Sequence, residues 1–293
     1  RPAAEAPDLP LPAPPLVPPK RGDKPAVPII NPTPLLAVTV PWQIRPPKDS
    51  LTIVIKGTFD LVPDGPAVLR AEGEYPIGDV HVDDDANKSL RYGSDLGIFK
   101  PQADVTLTGT AHAPKSAGGN TPAMQVAFHF GASGKGFVRR AAVLGERRWQ
   151  KALLALAPTD PEPFATMPLT WERAFGGPAF EPNPTGAGHK AHAGADGVSR
   201  LPNVEDPGHL IRSPGDAVAP VCFAPVAMLW KERWSKLGTY DRRWFKQRWP
   251  YFPEDFDWGF YQIAPKAQQL PYLSGDEPYS VVGMHAELPR LDG

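Results

Sequence analysis

Proline is the residue that most limits what this chain can become: it fills 39 of the 293 positions. That is about 13% of the chain, against about 5% in an average protein. Each proline lacks a backbone N–H and clashes with the preceding turn of a helix. With 27 glycines added, more than a fifth of the chain opposes long helices. A helical bundle and a helical repeat are therefore excluded. Aromatic residues make up 10% of the chain, with eight tryptophans, which excludes disorder over most of its length. The 31 basic and 32 acidic residues nearly cancel, so no whole-chain field favours nucleic acid or anionic lipid. The expected product is a folded, mainly β, loop-rich protein.

The single cysteine, Cys222, cannot form an internal disulfide and suits a reducing compartment. It also excludes a zinc site built on several cysteines. No stretch of about 18 uninterrupted apolar residues marks a transmembrane helix. The first 28 residues are rich in proline and alanine, which favours an extended spacer, linker or tail over a signal peptide. The chain opens on Arg1 rather than Met, which reads as a fragment or processed product and leaves room for a domain upstream.

The globular part is expected over residues 29–293. From 29 to 157 the pattern is β. LTIVIKGTFDLV places Leu51, Ile53 and Ile55 on one face and Thr52, Val54 and Lys56 on the other. DVTLTGTAHA alternates Val105, Leu107, Gly109 and Ala111 with Thr106, Thr108, Thr110 and His112. MQVAFHF sets Met124, Val126, Phe128 and Phe130 against Gln125, Ala127 and His129. A period of two marks strands with one buried face. KSAGGN and GASGKG between the runs are turn chemistry, and residues 135–149 carry two more short strands. Short turns between strands predict antiparallel pairing and a sandwich-like first half. From 158 to 293 the periodicity fades into a loop-rich half with a few short helices. One is predicted over 226–238, with Trp230 and Trp234 a turn apart and Gly238 at its end. Another is predicted over 241–249, capped by Thr239 or Asp241 and stopped by Pro250. SVVGMHAELP predicts a last strand.

Candidate chemistry is sparse. HVDDD, residues 81–85, gathers an imidazole and three carboxylates, but alternate residues of a strand diverge and calcium-loop spacing is absent. GAGHKAHAGADG, residues 186–197, lacks the phosphate-cradle pattern and reads as a flexible surface loop. Cys222 lies in an apolar, proline-flanked segment, as an inert buried thiol does. No nucleophile, base and orienting group are legible together. In SDLGIFKPQAD, Asp95 or Asp104 is expected to fix the turn by accepting hydrogen bonds, with Lys100 held extended before Pro101. The densest feature is residues 229–261, where basic and aromatic residues interleave. Single-strand nucleic-acid binders share that composition. So do protein interfaces, whose hot spots favour Trp, Tyr and Arg. The candidate contact residues are Trp230, Trp234, Tyr240, Arg243, Trp244 and Trp249.

NPTP, IVIKGTFDL, SLRYGSDLGIFKPQADVTLTGTAHAP, GERRW, MPLTWERAFGG, NPTGAG, LPNVED, GTYDRRW, RWPYFPEDFDWGFYQIAPKAQQ and YLSGDEP follow one another in that order. The set resembles a family of type VI secretion adaptor proteins, encoded beside VgrG spike proteins, PAAR-like proteins and effectors. The resemblance covers residues 31–293. It implies a cytoplasmic adaptor or chaperone that binds an effector with a PAAR-like domain and promotes its loading onto the VgrG spike. It implies no enzyme activity, cofactor, metal, nucleic acid or membrane. The alternatives are a metal-dependent hydrolase using the acidic and histidine loops, or a carbohydrate- or nucleic-acid-binding module using the Trp-rich region.

Overall fold

A computed structural model describes residues 29–45, 48–153, 155–216 and 218–293. The proline-rich segment 1–28, expected to be a spacer, lies outside the described residues. Residues from Pro34 to Gly293 make one compact unit.

The longest strands pair because GASGKG closes a hairpin between them. Ala123–Phe130 runs antiparallel to Phe137–Leu144 with Phe130 opposite Phe137. Gly131 and Gly134 both take φ of 78°, a left-handed geometry that glycine adopts without a Cβ penalty. Tyr279–Val282 adds on the far side of Ala123–Phe130, followed by Arg290–Asp292. Val204–Glu205 adds to the outer edge of Phe137–Leu144. The result is a five-stranded antiparallel sheet. Its even positions Val126 and Phe128, with Ala141 and Val143 from the neighbouring strand, enter the largest core cluster.

The second layer is built from fragments. Thr110–His112 pairs with Thr166–Pro168, and Ala103–Asp104 pairs with Gln269–Leu270. Val105, Ala111, Met167, Leu169, Val221, Phe223 and Leu270 face the sheet across the same core. Phe223 is fully buried and its ring meets Phe128 edge-on at 6.3 Å. Full burial of such a side chain contributes about 1.5–3 kcal/mol. The prolines act here: they keep the second layer from forming continuous ladders, because every proline removes a donor.

The fold is mainly β and sandwich-like, as the alternation predicts. The first-half and second-half division is crossed, however. Val204–Glu205, Tyr279–Val282 and Arg290–Asp292 come from the loop-rich part and complete the central sheet. The helices are shorter than expected. The 226–238 segment is helical only over Lys231–Trp234, because Val226 N donates to Ile263 O in an extended pairing instead. The second helix, Arg242–Gln247, is capped as predicted: Asp241 accepts from Trp244 N.

An outer hairpin, Leu36–Arg45 with Lys48–Lys56, pairs antiparallel. Its orientation reverses the simplest reading of its pattern. Leu51, Ile53 and Ile55 are 41%, 53% and 62% exposed, while Thr52, Val54 and Lys56 are the half-buried face. Polar bonds decide this. Thr52 Oγ1 donates to Ile98 O at 2.6 Å and accepts from Trp42 Nε1 at 2.9 Å. Lys56 Nζ reaches Asp95 at 2.9 Å, and the Trp42 ring meets Trp258 edge-on at 5.3 Å.

Candidate functional site

The polar motifs read from the sequence are spent inside the molecule. Asp104 accepts from Lys100 Nζ, Gln262 Nε2, Ile263 N and Ala264 N, all at 2.8–3.0 Å. Asp95 accepts from Lys56 Nζ and Ile77 N. Both carboxylates of SDLGIFKPQAD thus fix the turn, as expected. Trp171 Nε1 donates to Pro225 O at 3.0 Å, and Glu172 takes both Ser89 N and Ser89 Oγ. Asn183, fully buried, donates from Nδ2 to Trp171 O and Phe175 O. These bonds satisfy backbone groups that short, broken strands leave unpaired. The motif residues therefore build loops.

The acidic and histidine loops do not converge. His81 Nδ1 bonds to Lys88 O at 2.8 Å, Asp83 pairs with Lys88, and Asp85 accepts from Asn87. Among the described residues, no three His, Cys, Asp or Glu side chains gather as metal ligands. The loop at 186–197 is tied down at its start, contrary to the flexible loop expected there. Ala187–Gly188 pairs in parallel with Phe175–Gly176, and the His189 ring lies 5.0 Å from that of Phe180. Cys222 is 2% exposed, and burial pushes its thiol up to about 12.

The 229–261 region divides into interior and surface. Trp230 is only 5% exposed and meets Trp171 edge-on at 5.2 Å. It is a core residue, which removes it from the candidate contact set. Arg233 is 2% exposed and donates to Phe260 O and Val226 O at 3.0 Å. Burial pulls its guanidinium below the usual arginine range. Trp234, one turn further on, is 49% exposed.

Past Gly238 the chain presents a ring cluster. Gly238 has φ of 80° and lies against Asp255, whose carboxylate accepts from Thr239 N and Oγ1. Those bonds hold the Asp255 carboxyl below the usual range. Asp241 then starts the helix that carries Trp244. Tyr240 packs on Trp244 at 4.6 Å and Trp244 on Trp249 at 5.5 Å, both edge-on. Trp244 is half-buried and its Nε1 donates to Tyr251 O, so it props the cluster from below. Tyr240 and Trp249 are 47% and 40% exposed. Phe245, 62% exposed, lies 6.2 Å from the Trp249 ring. The sequence reading left Phe245 out. Its i, i+4 spacing to Trp249 within the helix expected over 241–249 is the signal that would have found it, although the helix ends at Gln247 and Trp249 follows in a turn.

Most basic residues of this region have local partners, whereas Arg242 and Lys246 are exposed and have none among the described residues. Arg243 and Arg248 lie 3.8 and 3.9 Å from Glu254. Arg248 also donates to Phe252 O, and Lys231 pairs with Glu181. What remains outward is aromatic surface with Met228 and Leu229, together with the Arg242 and Lys246 charges. Among the described residues, no helix is long and apolar enough to cross a membrane.

No curated protein and no solved structure matches this chain. A bacterial family profile does match, across residues 47–293. That span takes in the core, the internal polar motifs and the ring cluster. The chain belongs to the family described as an uncharacterized protein conserved in bacteria, DUF2169.

Proposed function

We propose that this chain is an adaptor that binds a type VI secretion effector, through a PAAR-like domain, and helps place it on the VgrG spike in the bacterial cytoplasm. The observation that carries the reading is the exposed ring cluster of Phe245 on a capped helix with Tyr240 just before it and Trp249 just after it. Exposed aromatics held rigid by their neighbours bury large area on binding at little entropic cost. Such residues dominate protein-interface energies. The ordered motif resemblance supplies the partner class. Five of the region's seven arginines and lysines, Lys231, Arg233, Lys236, Arg243 and Arg248, are engaged within the chain. This favours a protein over a nucleic acid, since cations already paired release little counterion on meeting phosphate.

The test is co-purification with the effector encoded beside this chain, intact and lacking its N-terminal region. The expected result is capture of the intact effector and loss of capture on truncation. Failure to capture the intact effector would overturn the adaptor reading.

A further inference from the structure

Beneath the outer hairpin lies a cavity of about 730 Å³, within the range of ligand sites. Thr52, Val54 and Lys56 of the hairpin line it, and so do Thr106 and Thr108 of the second layer. Around Thr106 the backbone bonds follow a period of two. Val105 N donates to Gln268 O at 3.1 Å and Leu107 N to Phe223 O at 3.0 Å. Gly109 O accepts from Leu169 N at 3.0 Å. In an extended chain, alternate residues aim their N–H and C=O at opposite edges. The odd residues therefore spend one edge on the fold. The other edge carries the N–H and C=O of Thr106 and Thr108. Among the described residues, these groups have no hydrogen-bond partner. Such an edge is a template for a further strand.

The cavity's charge selects among strands. Lys56 and Lys100 are each 2.9 Å from a carboxylate, Asp95 and Asp104 respectively. The remaining lining cation is Arg91, which is exposed and has no ion pair among the described residues. One positive charge is left for an incoming group.

We propose that the Thr106–Thr108 edge is a strand-addition site, where an extended segment of the effector pairs with the backbone and sets an Asp or Glu against Arg91. The source of that segment rests on the adaptor reading; the edge and its charge do not. Main-chain bonds supply affinity in this mode, and side-chain positions supply choice. The site is separate from the ring cluster, so an effector engaging both gains by linked binding.

The experiment uses the full chain and the purified effector encoded beside it, with 12-residue peptides tiled along that effector as a second probe. Amide exchange at Thr106 and Thr108 is followed by NMR with and without each probe. The expected result is fast exchange in the free protein and at least tenfold slower exchange in the complex. Thr106→Pro and Thr108→Pro remove outward N–H groups that the free protein does not use, so melting should hold while affinity falls at least tenfold. Arg91→Glu should weaken binding, and the binding peptides should be acidic. If either proline variant misfolds, exchange in the unaltered protein decides alone. Effector binding with unchanged exchange at both threonines would overturn the edge and leave the adaptor reading standing. Absence of any effector binding would overturn both. Protection that develops with protein concentration in the absence of effector would make the occupant a second copy, and overturn the proposal as stated.

Discussion

Arg147 and Glu205 face each other in the interior as an ion pair, their side chains 7% and 1% exposed. Each has further bonds: Arg147 donates to Pro202 O, and Glu205 accepts from Ile211 N at 2.7 Å. The pair ties GERRW to LPNVED, and so joins the sheet edge at Val204–Glu205 to the chain leaving Phe137–Leu144. Burial pushes the Glu205 carboxyl above the usual glutamate range, and the Arg147 charge opposes that shift.

Breaking this pair should cost more than deleting it. Glu205→Leu leaves the Arg147 charge buried without a counter-ion, a loss of about 3–5 kcal/mol. Adding Arg147→Met removes the orphaned charge and should recover part of that loss. Urea unfolding of the two single variants and the double variant checks it. A double variant less stable than Glu205→Leu would contradict the account. The raised carboxyl also has a sign. Folded Glu205 holds its proton to higher pH than the unfolded chain does, so its contribution is full below the ordinary 4.5. It is lost as pH rises through the folded value.

Cys222 should be chemically silent in the native state. With its thiol pushed up to about 12 by burial, the reactive thiolate is nearly absent at pH 8. Its Sγ also points to Leu169 O at 3.5 Å. Iodoacetamide at pH 8 should leave the folded protein unmodified by mass spectrometry and alkylate it fully in denaturing urea. Rapid single alkylation of the folded protein would refute the buried placement.

The outer hairpin predicts an inverted mutational pattern. Ile53→Thr and Ile55→Thr alter exposed positions and should change stability by no more than about 0.5 kcal/mol. Thr52→Val keeps the shape but deletes the bonds to Ile98 O and Trp42 Nε1. That should cost about 1 kcal/mol or more. Thermal melts of the three variants test the order, and a larger loss at Ile53 than at Thr52 would place the apolar face inside.

The hairpin shows where the sequence speaks and where it stops. Alternation over 51–62 and 124–130 marked the strands that run Lys48–Lys56 and Ala123–Phe130, because a period of two is a local property of extended backbone. It did not identify which face is covered, because that depends on Ile98, 46 residues beyond Thr52, and Asp95, 39 residues beyond Lys56. The second layer was legible as Val105, Leu107 and Ala111 facing one way. Its partners at 221–223 and 268–270 were not, since single non-local bonds leave no periodic trace. In the 229–261 region, composition marked the right segment. Trp230 and Trp234 look alike in sequence at one-turn spacing, and only packing against Trp171 separates the buried ring from the exposed one.

That separation gives the sharpest test of the proposed surface. Trp230→Ala empties a core site beside Trp171 and should cost about 3–5 kcal/mol of stability. Phe245→Ala removes a ring that is 62% exposed and should leave stability within about 0.5 kcal/mol. If the ring cluster is the effector surface, Phe245→Ala or Trp249→Ala should instead reduce effector affinity by about 2 kcal/mol when the ring is central, roughly thirtyfold. Trp249 also supports Trp244 and Phe245, so its variant should lose slightly more of both quantities. Denaturation curves and titration calorimetry on the same preparations keep the two effects apart. Full stability with unchanged affinity in both surface variants would remove the cluster from the interface, whatever the effector binds elsewhere.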